Sequence, residues 1–256
     1  MAWAALIDGP EVFVVHMSDD ALPVLYADDT LAVIAKPAGL MAHASPMARG
    51  EDDFLVDRLR VQFARDVVLV HRLDRATSGC VLIAFDRETA AALGAQFMER
   101  SVDKTYLAVC RGWPDEAGVI DHPLDGGPGK PVKKHAITSY RRLATAELQQ
   151  TSEHFPTSRY ALLECTPETG RWRQIRRHLK HISHHLIGDS SHGDGRHNRA
   201  FRMLGIHRML LHAHALGFAH PHNGERIAMI APLDTQFERV LTLCGWSLPL
   251  SMNSAG

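Results

Sequence analysis

One acidic residue stands in a segment whose composition could support catalysis. The segment HRLDRATSG at residues 71–79 places Asp74 between two arginines and joins the apolar runs Val67–Val70 and Cys80–Phe85. A carboxylate in an irregular loop where two lobes meet can act as a nucleophile or as a base. The alternative is a structural aspartate that pairs with arginine and caps a turn, which is the commoner role of such a residue. Asp74 therefore needs support from other segments.

A second feature is the uneven distribution of charge. The chain has a net charge of −1, yet the stretch from Arg171 to Arg208 holds nine lysines and arginines and two acids, Asp189 and Asp194. A basic segment on an otherwise acidic protein is the pattern expected for a polyanionic partner such as nucleic acid. The alternative is a solvated helix face whose counter-charges come from elsewhere in the fold.

Histidine is abundant, with 17 in the chain and eleven of them between His178 and His222. A metal-dependent hydrolase or nuclease could take its ligands from such a cluster. The HExxH signature is absent, however, and the spacings match no compact ligand set with an acidic partner. The four cysteines lie far apart without a CxxC pair, which predicts reduced thiols and neither a zinc site nor a disulfide framework.

The elements that must position these residues follow from the hydrophobic pattern. Val24–Tyr26 and Leu31–Lys36 predict a β-hairpin, and Asp86 can cap a helix over residues 87–100. Residues 121–135 are rich in glycine, proline and lysine and predict a loop. Further strands are predicted at Thr105–Cys110, Tyr160–Thr166, Met209–Phe218 and Arg226–Ala231.

A helix is predicted over residues 172–184 in the basic segment. Its apolar stripe consists of Ile175, Leu179 and Ile182, and Arg176 lies at the flank of that stripe. A flank position allows a side chain to be held by packing and still reach into a cleft. The opposite side of the helix carries Arg173, Arg177 and Lys180.

Strands and helices do not alternate strictly, so the expected fold class is α+β with a mixed, mostly antiparallel sheet. We predict a lead-in at residues 1–22, one catalytic domain at 23–246 and a tail at 247–256. The chain has no apolar stretch long enough to span a membrane, and its first fifteen residues carry Asp8 and Glu11 and do not predict a secretion signal. Together with the reduced thiols, these features predict a cytoplasmic location, and no obligate protein partner is evident from the sequence.

HRLDRATSG closely resembles the active-site motif of the RluA family of pseudouridine synthases. Other blocks resemble that family in the same order along the chain. They are Lys36-Pro37-Ala38-Gly39 with His43, Lys104-Thr105-Tyr106, Thr169-Gly170-Arg171 with Gln174-Ile175-Arg176, Leu186-Ile187-Gly188-Asp189, and Leu210-Leu211-His212-Ala213. The resemblance implies the pseudouridine synthase fold, in which a central catalytic cleft splits the sheet and helices flank it.

The resemblance also implies residue roles. Asp74 would be the nucleophile, Tyr106 would stack on the uracil and remove the C5 proton directly or through water, and Arg176 would pair with Asp74. The reaction is an isomerisation, so it implies neither a cofactor nor a metal. Residues expected to bind the RNA are His71, Arg72, Arg75, Thr77, Arg171, Arg173, Gln174, Arg177, Lys180, Arg196 and Arg199.

Two points qualify the resemblance. The family commonly has histidine before the glutamine of the Gln174 block, and Arg173 at that place implies altered RNA contacts with retained chemistry. Residues 156–160 and 192–199 resemble a branch that modifies tRNA, which implies uridine 65 of tRNA as the target. A ribosomal RNA uridine is the alternative target, and a non-catalytic RNA-binding protein is the alternative class.

Overall fold

The computed structural model describes residues 21–43, 50, 52–149 and 156–249. The strands are β1 Val24–Ala27, β2 Leu31–Lys36, β3 Val68–Leu69, β4 Ser78–Ala84, β5 Asp103–Arg111, β6 Ala117–Asp121, β7 Ile137–Leu148, β8 Ser158–Pro167, β9 Leu211–Ala219 and β10 Arg226–Ile230. The helices are α1 Leu55–Phe63, α2 Arg87–Glu99, α3 Gln174–His181, α4 Gly195–Met203 and α5 Thr235–Cys244. Most of the predicted lead-in and tail lies outside the described residues, so those boundaries stay predictions.

All ten strands join one mixed sheet. Its main path runs β1-β2-β4-β9-β5-β8-β7-β6, with β3 beside β4 and β10 beside β9. The β4–β9 pairing is parallel, and the other named strand pairs are antiparallel. The structure confirms the predicted α+β class with a mostly antiparallel sheet.

The sheet narrows where β4 meets β9. These strands pair through only Ser78 with His212 and Gly79 with Ala213. Beyond this point β10 takes the place of β4 beside β9, pairing from Ala215 to Ala219. The loop that carries Asp74 leads directly into this junction, so the sheet splits at the position that the resemblance assigns to the catalytic cleft.

Each half of the sheet is covered on both faces. In the first half, α1 packs Leu55 and Leu59 onto one face, and α2 packs Leu93 onto the other. In the second half, α5 packs Phe237 on one face while α3 packs Leu179 on the other. Burial of apolar surface on both faces holds the two lobes around the junction.

Most predicted elements are present with small changes of length. The β1–β2 hairpin, the Asp86-capped α2 and the strand containing Tyr106 all form. The predicted helix over 172–184 is shorter, since α3 spans Gln174–His181. It begins late because Arg173 has φ 51, which is outside the right-handed helical region.

Close contact at the junction requires glycine at position 79. Gly79 has φ +113, and a Cβ atom added there would lie 2.1 Å from the carbonyl oxygen of Ala213. We expect Gly79→Ala to lower the free energy of unfolding by about 3 kcal/mol or more, since it adds backbone strain and a clash between two strands. Urea denaturation measures this change.

The matched control is Gly94→Ala. Gly94 lies within α2, its φ is not positive, and an added Cβ would meet no atom within 4 Å. Alanine is the better helix former, so this variant should be as stable as the parent or up to about 1 kcal/mol more stable. Equal stability of the two variants would contradict the requirement for glycine at the junction.

Candidate active site

Asp74 lies in a tight turn immediately before β4. The backbone N–H of Thr77 donates to the carbonyl oxygen of Asp74 at 3.0 Å, which closes the turn. The Asp74 side chain is 28% exposed, so it is open to a ligand while its backbone is held. The turn therefore presents a carboxylate at the split in the sheet.

Arg176 connects Asp74 to a second carboxylate. Its Nη1 donates to Asp74 Oδ2 at 2.6 Å, while Nε and Nη2 donate to the two oxygens of Asp189 at 2.6 and 2.8 Å. Asp189 also accepts hydrogen bonds from the backbone N–H groups of Ser191 and His192. The predicted ion pair between Asp74 and Arg176 is present in this geometry, and Asp189 holds the guanidinium from behind.

Arg176 and Asp189 are both buried, and each depends on its ionic partner to stay charged. The side chain of Arg176 is 6% exposed and that of Asp189 is 0% exposed. Burial alone would raise the pKa of Asp189, but its hydrogen bonds and charge interaction with Arg176 lower it below the ordinary value. Burial alone would lower the pKa of Arg176, and the two carboxylates raise it. Both groups therefore stay charged at neutral pH.

Tyr106 lies on β5 and lines the same cavity as Asp74. Its backbone pairs with Ala213 of β9 on one side and Cys165 of β8 on the other, so its position is fixed by the sheet. Burial raises the pKa of Tyr106, and the nearby Cys80 and Asp74 act in the same direction. The phenol is therefore protonated at neutral pH.

Gln174 fixes the turn that leads into α3. Its Oε1 accepts hydrogen bonds from the Thr169 hydroxyl and the Arg171 backbone, and its Nε2 donates to Ile137 and Thr138 of β7. Because Gln174 is buried and its amide is fully used, it holds the turn in place. It borders the cavity with its hydrogen bonds directed into the protein, and substrate binding by Gln174 stays a prediction.

The cavity at this site has a volume of about 150 Å³. It collects eight of the predicted site residues from three separate segments of the chain. They are Arg72, Asp74, Thr77, Tyr106, Arg171, Arg173, Gln174 and Arg176. The arrangement offers a held carboxylate, an aromatic ring and several guanidinium groups to an anionic substrate.

Other predicted residues lie elsewhere. The ring of His71 stacks on Phe97 and its Nε2 accepts the backbone N–H of Leu82, so this residue packs against α2 and does not line the cavity. Burial lowers the pKa of His71 to about 4, so it is neutral. Arg75 donates to the carbonyl oxygen of Gly39 and lines a different cavity. Neither residue lines the cavity at Asp74, and RNA binding by His71 and Arg75 stays a prediction.

The remaining basic residues also lie outside the cavity. Arg177 pairs with Asp125 at 2.8 Å, so its charge is compensated within the protein. Lys180 is exposed on α3, and Arg196 and Arg199 are exposed on α4. These three can reach only a ligand that extends beyond the cavity. The basic segment from Arg171 to Arg208 therefore has some of its side chains inside the protein and others on the surface.

Asp189 and Trp172 are absent from the predicted site residues. Asp189 belongs to the Leu186–Asp189 block, and that block was the available signal for it. The ring of Trp172 lies 4.4 Å from the guanidinium carbon of Arg173 and 5.6 Å from that of Arg177. An aromatic residue flanked by two arginines was a usable sign of cation–π contact.

A second cavity of about 940 Å³ lies on the other side of the junction. Thr77 lines the smaller cavity and Ser78 the larger, as expected for successive residues that point to opposite faces of a strand. The buried cations that line the larger cavity hydrogen-bond to protein groups. Lys36 donates to three carbonyl oxygens, and Arg208 contacts Asp234, Ser78 and Leu211.

The histidines serve mainly as hydrogen-bonding groups. His178 contacts the Thr138 hydroxyl and the His122 carbonyl, and His212 contacts Ser78 and the Ala231 carbonyl. Within the described ranges, no three His, Cys, Asp or Glu side chains form a group that could hold a metal ion. None of the helices in these ranges combines the length and apolar character needed to cross a membrane.

Known proteins resemble this chain over most of its length. A family model described as RNA pseudouridylate synthase matches residues 30–181. A tRNA pseudouridine synthase C of Vibrio parahaemolyticus is 39% identical over 240 residues, which cover 90% of this chain and 98% of the relative. One of Vibrio cholerae is 38% identical over 243 residues, covering 91% of this chain and 100% of the relative.

Solved structures agree with the sequence relatives. The human RNA Pseudouridylate Synthase Domain Containing 4 superposes with a TM-score of 0.69 at 25% identity, covering 88% of this chain and 94% of that one. The human RNA Pseudouridylate Synthase Domain Containing 1 has the same fold, with a TM-score of 0.69 at 23% identity, covering 93% of this chain and 94% of that one. The chain therefore belongs to the RNA pseudouridylate synthase family, as an RNA pseudouridine synthase of the RluA type.

Proposed function

We propose that this enzyme converts uridine 65 of tRNA to pseudouridine, with Asp74 as the nucleophile. The observation that carries the mechanism is the 2.6 Å contact between Asp74 Oδ2 and Arg176 Nη1 at the cavity that also contains Tyr106. The tRNA substrate is proposed because the two Vibrio relatives are named for tRNA and match this chain nearly end to end.

The reaction breaks the bond between N1 of uracil and C1′ of ribose and forms a bond between C5 and C1′. The C5 proton leaves and N1 receives a proton, so the product is an isomer of the substrate. Asp74 assists by attacking either C1′ or C6, and its carboxylate is suited to both. Arg176 orients Asp74 through the 2.6 Å contact, and Asp189 keeps Arg176 in place.

A uridine within a stem must leave the base stack before it can reach Asp74. Flipping costs about a few kcal/mol, and contacts to the backbone phosphates offset that cost. Arg72, Arg171 and Arg173 line the cavity and can make such contacts next to the flipped base. Lys180, Arg196 and Arg199 are exposed and can contact phosphates further along the RNA.

Tyr106 supplies a ring against the uracil and a hydroxyl for the C5 proton. Because its pKa is raised, the hydroxyl is protonated at neutral pH, so it can accept the C5 proton only as it gives its own proton to a water molecule. We expect Tyr106→Phe to slow single-turnover pseudouridine formation by about 10²-fold or more without weakening RNA binding. Tyr106→Leu should impair both, because it also removes the ring. Unchanged kinetics in Tyr106→Phe would remove the hydroxyl from the mechanism.

The substrate is tested by mapping pseudouridine at single-nucleotide resolution in total RNA. Cells without this protein are compared with the same cells complemented by the wild type and by Asp74→Asn. The proposal expects uridine 65 of tRNA to be the position that gains pseudouridine with the wild type alone. Gain at a ribosomal RNA uridine, with tRNA unchanged, would replace the tRNA substrate by the ribosomal one.

A further inference from the structure

Of the four arginines that line the catalytic cavity, only Arg173 has a guanidinium without a hydrogen-bond or ion-pair partner among the described residues. The cavity is lined by four arginines and by Asp74. Arg176 pairs with Asp74 and Asp189, Arg171 donates to a backbone carbonyl, and Arg72 contacts His43 at 3.4 Å. The guanidinium of Arg173 forms no ion pair or hydrogen bond with any residue in the described ranges, and its one ring contact is Trp172.

The backbone directs Arg173 into the cavity at some cost. Arg173 has φ 51 and ψ 37, a left-handed conformation that non-glycine residues rarely adopt. This conformation turns the chain between the Thr169–Trp172 segment and the first residue of α3. A residue held in a disfavoured conformation at the edge of a substrate cavity points to a function for its side chain.

Trp172 holds the guanidinium of Arg173 in this position. The indole ring lies 4.4 Å from the guanidinium carbon, which is within cation–π range. The ring also packs against Gly127, where an added Cβ would lie 2.7 Å from the indole. The same loop is tied to α3 by the ion pair of Asp125 with Arg177. The loop therefore supports Trp172, and Trp172 supports Arg173.

The environment of Arg173 favours an incoming anion. Burial and the neighbouring Arg176 charge lower the pKa of this guanidinium, and the smaller opposing effects of Asp74 and Asp189 do not reverse that shift. A partly desolvated cation without a partner is unfavourable, and a phosphate satisfies it through two parallel hydrogen bonds. RNA supplies a phosphate on either side of any nucleotide in the cavity.

We propose that Arg173 binds a backbone phosphate flanking the target uridine and that Trp172 is a positioning residue for Arg173. The proposal rests on the proposed reaction at Asp74, since it places the flipped uridine beside that residue. It gives Arg177 a different role from Arg173: Arg177 is compensated by Asp125 and stabilises the loop.

The test is a double-mutant cycle between Arg173 and each flanking phosphate. Binding of a tRNA stem-loop is measured in the Asp74→Asn background, with an uncharged methylphosphonate replacing the phosphate on the 5′ or the 3′ side. Arg173→Gln alone should weaken binding about tenfold, and so should a methylphosphonate at the one flanking phosphate that Arg173 binds. The two together should weaken it no further. Arg173→Gln should also reduce the slope of log K against log salt by about one.

Trp172 is tested in the same background. Trp172→Leu should weaken binding severalfold when Arg173 is present and have no effect when Arg173 is glutamine. Trp172→Phe should restore most of the affinity, because it returns a ring beneath the guanidinium. An equal effect of Trp172→Leu in both backgrounds would overturn its positioning role and indicate a purely structural one.

The control for charge removal is Arg87→Gln. Arg87 is exposed at the start of α2, away from the cavity, and should show neither the tenfold loss nor the change of salt slope. If Arg173→Gln does not fold by circular dichroism, Arg173→Lys replaces it and should keep sensitivity to one methylphosphonate. Additive losses at both phosphates would overturn the proposal. If the wild type formed no pseudouridine in tRNA, the proposed function would fail instead, so the two failures are distinguishable.

Discussion

Replacing Asp74 with asparagine is expected to abolish pseudouridine formation while RNA binding and the fold remain. Asparagine has nearly the same size and can still accept the hydrogen bond from Arg176 Nη1, so the 2.6 Å contact loses its charge and keeps its geometry. An amide cannot act as the nucleophile, and we expect the single-turnover rate to fall by about 10³-fold or more. Release of tritium from 5-tritiated uridine in the RNA measures this rate.

The result separates an enzyme from a binding protein. Affinity for unmodified tRNA should stay within about threefold of wild type, because Asp74 is one group among several that line the cavity. Thermal unfolding should also be close to wild type, since the Asp74 side chain is 28% exposed. Full activity of Asp74→Asn would contradict the nucleophile assignment and return Asp74 to the structural role that its sequence context allows.

Replacing Arg176 with glutamine is expected to damage both activity and stability. The change leaves Asp189 buried with no counter-charge and leaves Asp74 with no group to orient it. Removing one partner of a buried ion pair costs about 3–5 kcal/mol of folding free energy. We expect a loss of that size in urea denaturation and a fall of about 10²-fold or more in the single-turnover rate of the folded fraction.

Two comparisons isolate the cause of the stability loss. Arg177→Gln removes a less buried ion pair from the same helix and should cost about 1 kcal/mol or less. In the wild type the pKa of Asp189 is lowered, so its pairing stabilises the fold above pH 3.8 and is lost as the pH falls below that value. In Arg176→Gln the buried Asp189 should have a raised pKa and become protonated as the pH falls. The difference in the free energy of unfolding between wild type and Arg176→Gln should therefore become smaller as the pH falls. A difference that does not change with pH would exclude Asp189 as its source.

The sequence predicted elements with strong local signals. The β1–β2 hairpin has two apolar runs around polar residues, and α2 starts at a capping aspartate, Asp86. The sequence pattern did not predict α1, α4, α5, β6 or β7. Most residues of β7 (Ile137–Leu148) are only partly buried. The strand pairs with β6 along one edge and with β8 along the other, and its two faces are only half buried. Such a strand lacks a clear alternation of apolar and polar residues.

By itself, the sequence determined the class of fold and identified the candidate residues for the chemistry. Asp74, Tyr106 and Arg176 stand in blocks whose order and spacing resemble one family, and the flank position of Arg176 on its helix agreed with a side chain that reaches a cleft. Short-range patterns suffice for these conclusions because residue type, helical period and motif order are all local properties of the chain.

Only the tertiary structure decided which side chains meet. Arg176 contacts Asp74 across 102 positions of the chain, and Asp189 completes the pair from a third segment. In the folded protein His71 faces away from the cavity, Arg177 binds Asp125, and the guanidinium of Arg173 faces the cavity against Trp172. The physical reason is that burial and charge compensation depend on neighbours brought together by packing, so nine basic residues close in sequence have different partners and different exposure in the folded protein.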